Sequence, residues 1–363
     1  MESAADAELL SGEADVTTES EKPPYPPSWV NRVNDWVKRL PIPAWLFYLA
    51  LGLALTLLHA AVKWGHGSYP ADTSIAAFYL MTDLSPVIVI AMIYYFDEWA
   101  EKALATFRPA MDVEEAEYER LRYQLTTLPR GQTLIVSFIG VAFASIYLVL
   151  PTNPQLEKFE LFTPPLAIPL DVTVTLLDYL VYSIVIYHTV HQLRMVSRIY
   201  AKCTHIDLFQ LSPLYAFSTL AARIAISIGL LTYAWTYVFS TSGSIVETLI
   251  PLPGIPLLFA AFILPLMGIH RILLQEKATL QSENVLHLKA TIAELHRRTE
   301  AGDYGQIDGV SKAIDALTKE QSLLDKIPTW PWQPETVRWV GTALLLPVIL
   351  TLATRLLQHY FGF

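Results

Sequence analysis

The sequence predicts an all-α, polytopic membrane protein with seven transmembrane helices and a cytoplasmic antiparallel helical hairpin. Three observations predict it. Hydrophobic residues make up 53% of the 363-residue chain and charged residues only 16%, where a soluble domain carries about 25% charged residues. The apolar residues gather in runs near the ~20 residues that a bilayer core requires. Lysine and arginine are dense in every second loop and nearly missing from the others.

The elements follow in chain order. Glu2, Asp6, Glu8, Glu13, Asp15, Glu19 and Glu21 face Lys22 alone in a stretch that runs into "KPPYPP". High charge and few apolar residues predict a disordered acidic tail over 1–28. It lacks the basic start and apolar core of a cleavable signal peptide, so none is expected there. Over 29–42, Val30, Val33, Val37 and Leu40 share one helical face with Arg32, Lys38 and Arg39 nearby, the pattern of an amphipathic helix lying on the membrane surface. Residues 43–270 read as a six-helix membrane bundle with spans near 43–62, 75–96, 133–151, 168–190, 217–239 and 253–270. Asp83 and Pro86 interrupt the second span, which is expected as one kinked helix rather than a re-entrant segment. A helical inner loop is expected over 97–132, and the seventh span, near 338–357, falls in 329–363. In the third span Ser137, Gly140 and Ala144 form a small-residue face suited to close helix packing.

Orientation follows from the basic residues. The tail, the loops after the second and fourth spans and the 271–338 segment hold 21 lysines and arginines, against 2 in the alternate loops. The positive-inside rule then places the N-terminus in the cytoplasm and the C-terminus outside. Residues 271–328 form the hairpin. Leu274, Ala278, Val285, Leu288, Ile292 and Leu295 keep a 3–4 spacing on the first arm. "AGDYG" (301–305) makes the turn, and Ile307, Val310, Ile314, Leu317, Gln321 and Leu324 repeat the spacing, which is the pattern of a coiled-coil-like pair. "IPTWPWQPE" ends it with prolines and with tryptophans suited to the lipid–water interface.

Several chemistries are excluded or unsupported. One cysteine, Cys203, permits no intrachain disulfide and no multi-cysteine metal site. No phosphate-cradling glycine loop, HExxH or nucleophile elbow is present, and no enzymatic activity or cofactor is expected. The last span lacks the lysine that a retinal Schiff base would need. An acidic chain whose basic residues track the membrane boundary is no nucleic-acid binder. The expected partners are membrane lipid and, through 271–328, a second copy or a cytoplasmic protein.

The candidate site lies on the fourth span. Asp171, Thr175, Asp178, Tyr182 and Thr189 are spaced 4, 3, 4 and 7 apart and share a face. An Asp at the bilayer centre costs about 2.5–3.5 kcal/mol, so it should face the interior and have a partner. Asp83 lies at a similar depth on the second span, and Arg223 on the fifth could reach Asp178 or Tyr182. Asp83, Asp178, Tyr182 and Arg223 are therefore the candidates for a transport path. Helix glue is the competing reading of Asp178, and a local cap at "TDLSP" that of Asp83. His188 and His191 form a weaker metal or pH-sensing pair with His205 and Asp207. The expected function is a channel or transporter for an ion or small solute. The alternative is a sensor, adaptor or assembly protein coupling through the hairpin.

Overall fold

A computed structural model describes residues 23–67, 73–149, 168–202, 211–240, 262–332 and 335–343, with positions 345, 349 and 353. Among the described residues the protein is all-helical, with no strand and one isolated bridge between Pro27 and Pro129. The helices are α1 (Trp29–Lys38), α2 (Ala44–Gly65), α3 (Thr73–Phe107), α4 (Glu115–Thr126), α5 (Arg130–Val149), α6 (Ile168–Tyr200), α7 (Tyr215–Ser240), α8 (Met267–Glu300) and α9 (Ile307–Lys326).

Five segments are long and apolar enough to cross a membrane: Ala44–Gly65, Ala76–Ala110, Arg130–Val149, Ile168–Tyr200 and Tyr215–Trp235. They coincide with the first five expected spans. Five of the seven expected spans are therefore matched, among the described residues, by helices long and apolar enough to cross a membrane. Residues 253–261 of the sixth expected span and most of 344–357 of the seventh lie outside them, as do 1–22 of the acidic tail. The outer faces of α2 and α5 expose Leu49, Leu53, Leu57 and Phe138, Phe143, Ile146. Rows of exposed apolar side chains on such helices are what lipid accepts. The protein is thus a multi-pass membrane protein.

The chain divides into two compact units. The first comprises 1–102, 113–195 and 227–256; the second comprises 103–112, 196–226 and 257–363. In the first, α3 is the most buried of the membrane helices. It passes through Pro86 as one helix. A proline inside a helix loses the bond to the carbonyl four residues earlier and crowds that carbonyl with its ring. The helix also runs beyond the expected span end at 96, which brings Asp97 onto it. Val37 of α1, Tyr48 of α2 and Val87 of α3 form an apolar core.

α1 is docked on the protein. Its buried residues are Val30, Asn31, Asn34 and Val37, while Val33 is half-buried. Ser28 caps it by accepting from the Asn31 N–H, and Asn31 in turn donates to the Thr126 carbonyl and accepts from the Leu128 N–H. Residues 25–28 of the expected tail are strapped alongside: the Tyr25 hydroxyl donates to the Thr127 carbonyl and the Ser28 N–H to the Leu128 carbonyl. Lys38 meets Glu98 at 3.2 Å. Burial alone would lower the Lys38 pKa, but the bond and charge of Glu98, with Glu101 and Asp97, outweigh it and hold it above the ordinary lysine value. That stabilisation is present below the ordinary value and is lost as pH rises through the raised one. With the lysine 39% exposed it is small.

α5 crosses α6 where the side chain is smallest. The buried face of α5 is Thr133, Ser137, Gly140 and Ala144, the small-residue face expected from the sequence. A Cβ at Gly140 would stand 2.5 Å from Ser183 Oγ and 2.8 Å from the Tyr179 carbonyl oxygen. Because one obstacle is backbone, the helices themselves must part. Gly140→Val is expected to destabilise the protein by about 1–3 kcal/mol, the range for overpacking. Thermal unfolding in detergent checks this, and an unchanged transition would contradict so close a crossing.

In the second unit, Phe107, Tyr200 and Phe217 form a buried aromatic cluster with centroids 5.1–5.4 Å apart. Lys277 of α8 donates to the carbonyls of Asp325 and Ile327 at the end of α9, satisfying carbonyls that a helix terminus leaves open. Gln281 donates to Asp325 Oδ1 at 2.7 Å. His270, Trp330 and Trp332 stack, with centroids 3.8 and 4.4 Å apart. On α9 the least exposed positions are Ile307, Val310, Ile314, Leu317, Gln321 and Leu324, as the spacing predicts. On α8 the inner face agrees with the expectation at Leu288, Ile292 and Leu295, which are half-buried, and differs where Leu273 and Asn284 are buried while Leu274 and Val285 are exposed.

Candidate functional site

Three polar clusters sit inside the first unit, built on α3 and α6 with help from α1, α2 and α7. The first joins α2, α3 and α6. The buried residues of α2 are Tyr48, Gly52, His59 and Lys63, one helical face. His59 Nδ1 is 2.6 Å from Asp83 Oδ1, and its Nε2 is 2.5 Å from Asp171 Oδ1, a close contact rather than an aligned hydrogen bond. Lys63 Nζ lies 3.6 Å from the same Asp171 oxygen and 2.9 Å from the centre of the Tyr79 ring. All four ionisable groups are under 5% exposed. With both ring nitrogens against carboxylates, the imidazolium form satisfies both contacts. Two carboxylates, one imidazolium and one ammonium then sum to zero charge. That balance is what allows four such groups to stay buried.

The second cluster lies beside it. The Ser85 hydroxyl donates to Asp178 Oδ1 at 2.8 Å and stands 3.1 Å from the Tyr182 hydroxyl. The Trp235 indole N–H of α7 donates to that hydroxyl at 2.7 Å. Asp178, Thr175, Tyr182 and Trp235 line a cavity of about 510 Å³ with Phe143 and Tyr179.

The third cluster lies further along both helices. His188 Nε2 is 2.7 Å from Asp97 Oδ1, and the Asn34 side-chain amide of α1 donates to Asp97 Oδ2 at 3.3 Å. Gln192 donates to the Phe96 carbonyl. Four buried polar atoms here have no hydrogen-bond partner in the protein among the described residues: Asn34 Oδ1, His188 Nδ1, Thr189 Oγ1 and Gln192 Oε1. Buried polar atoms require partners, and water is the usual one.

At 1.5 Å per residue, Asp171 to Asp178 is roughly 10 Å along α6 and Asp178 to His188 roughly 15 Å. The interval between the second and third clusters is apolar: Val89, Ile93 and Phe96 of α3 and Ile184 and Val185 of α6 are all buried.

The sequence candidates fall as follows. Asp83, Asp178 and Tyr182 lie in the first unit, with Asp83 in the first cluster and the other two in the second. Asp171, part of the fourth-span stripe, is 4% exposed and belongs to the first cluster. Asp83 faces His59 rather than capping its own helix. Arg223 belongs to the second unit and is exposed, and the hydrogen bond to Asp178 comes from Ser85. His188 and His191 have different partners, Asp97 and the Gln124 carbonyl. No group of three or more His, Cys, Asp or Glu side chains placed to hold a metal ion occurs among the described residues, while His205 and Asp207 lie outside them. Reading the sequence missed His59, Lys63, Ser85 and Asp97. The i, i+4 pair His59 and Lys63 on an otherwise apolar helix was the available signal.

Fold and site together define a multi-pass membrane protein with a buried series of ionisable side chains. The chain matches no protein-family model, no curated protein and no solved structure.

Proposed function

We propose that the protein is a membrane transporter that moves protons through its first unit, using the three polar clusters as stations. The observation that carries this reading is that four carboxylates, two imidazoles and an ammonium are buried in or between helices that cross the bilayer. An intramembrane ionisable residue is expensive and marks an ion or proton route by default. Seven such groups lie in three clusters built on α2, α3 and α6.

The proton is favoured over a metal cation by the donors present. Asp83 and Asp171 are faced by imidazole or ammonium, and Asp97 by imidazole and amide. These groups exchange protons with carboxylates, whereas the Lys63 ammonium repels a second cation. The apolar interval between the second and third clusters favours a gated transporter over an open pore, because a dry constriction blocks conduction until it moves. The charge asymmetry of the loops supports a cytoplasmic N-terminus.

The test is flux by the purified protein in liposomes. Under an imposed potential the account expects proton entry into the lumen that exceeds empty vesicles, with no sodium or potassium uptake. Sodium uptake without proton entry would overturn the choice of ion. Absence of any flux would favour the second reading, a sensor or assembly protein. The observation behind that reading is the apolar surface that α8 and α9 expose at Leu286 and Leu323, which a cytoplasmic hairpin would offer to a partner.

A further inference from the structure

The four buried carboxylates among the described residues of the first unit are not equivalent. Asp83 and Asp171 contact His59, Asp171 also contacts Lys63, and Asp97 contacts His188. Asp178 is in no ion pair among the described residues; its bond is from the neutral Ser85 hydroxyl. It is also the carboxylate that borders the cavity of about 510 Å³, a volume in the range of small-molecule sites.

The polar groups around it are Ser85 and Thr82 of α3, Thr175, Tyr179, Tyr182 and Ser183 of α6, and Trp235 of α7. None is cationic. The rest of the lining is aromatic and aliphatic, including Phe143 and Ile186, and both of these are more than half exposed on the outer surface. The cavity is therefore a recess reached from the apolar surround, with aromatic walls and one carboxylate lacking a counter-charge at its floor.

We propose that this recess binds a lipophilic organic monocation, such as a hydrophobic amine or quaternary onium ion. Its apolar groups would rest against Phe143, Tyr179 and Trp235, and its charge would meet Asp178. Charge complementarity selects the occupant. An acyl chain would fill the volume but leave the carboxylate without a counter-charge. A hydrated metal ion would face mostly apolar walls. Aromatic faces attract a desolvated cation through the ring quadrupole. The inference rests on the proton reading in one respect: proton and organic cation would occupy the same carboxylate in turn.

Tetraphenylphosphonium is the probe, and tetraphenylborate, nearly identical in size and apolarity but anionic, is the control. Binding to the purified full-length protein in nanodiscs is measured against empty nanodiscs. One saturable site per chain is expected for the cation and none for the anion. Asp178→Asn should weaken the cation by about 30-fold or more, the loss typical when one member of a desolvated charge pair is removed. Phe143→Ser, at an exposed position, should weaken it several-fold and serves if the Asp178 variant does not fold. Equal uptake of both ions, or no saturable site, would overturn the proposal, as would cation binding that neither substitution alters. Proton flux measured without any organic cation separates this from the transport reading. Flux without a cation site would sink the recess proposal alone, and a cation site without flux would sink the proton route alone.

Discussion

Replacing His59 by leucine is expected to lower stability by about 3–5 kcal/mol, the cost of stripping one partner from a buried ion cluster. His59 stands between two carboxylates, 2.6 Å from Asp83 and 2.5 Å from Asp171. Without it both acids face a single ammonium, Lys63, and one negative charge is left uncompensated in a site under 5% exposed. The charge sum makes a second, sharper expectation. His59→Leu combined with Asp83→Asn restores neutrality, so the double variant should recover much of the loss. A coupling of about 0.5–3 kcal/mol is the range for residues in one network. Unfolding of the four proteins of this cycle in detergent measures it. Additive losses would show that the cluster is not held by charge balance.

The other large effect concerns Asp97 and His188. His188 meets Asp97 at 2.7 Å, and both are buried. His188→Leu should cost a similar 3–5 kcal/mol by leaving Asp97 with only the long bond from Asn34. His188→Gln is the informative change. Glutamine keeps a donor for Asp97 and most of the volume, so the protein should fold with a much smaller loss, yet it cannot take up and release a proton. If the third cluster is a station, flux should fall by at least about 100-fold, the lower range for losing a positioned proton-transfer group. A folded His188→Gln protein with unchanged flux would restrict the cluster to a structural role.

Much of the fold was legible because membrane spans are governed by one strong constraint. Runs such as 43–62 and 133–151 must be helical and about 20 residues long, since lipid leaves no other way to satisfy the backbone. The site was half legible for the same reason. Asp83 and Asp178 stand out because a carboxylate inside an apolar run is costly. Lys63 was hidden because it sits at a span end, where a lysine reads as a loop charge. His59 was hidden because histidine reads as neutral. Asp97 fell one residue beyond the expected end of the second span, and α3 continues to Phe107. Periodicity cannot locate where a helix leaves the bilayer when it continues as helix. In α8 the apolar spacing holds at Leu288, Ile292 and Leu295 but puts Leu274 and Val285 inside, where Leu273 and Asn284 are buried instead. Counting only apolar residues misplaces a stripe when polar side chains occupy its inner positions.

The central claim is that charge on the clusters carries protons across the bilayer, and isosteric charge removal at the middle station tests it most directly. Proton entry into pyranine-loaded liposomes is followed under a potassium-diffusion potential for the wild type and Asp178→Asn, each first shown to unfold cooperatively. Asparagine retains the size of the side chain and an oxygen for the Ser85 hydroxyl but cannot accept a proton. The account predicts wild-type proton entry well above empty vesicles and a fall of at least about 100-fold in the variant. Equal proton entry in the two proteins would contradict it.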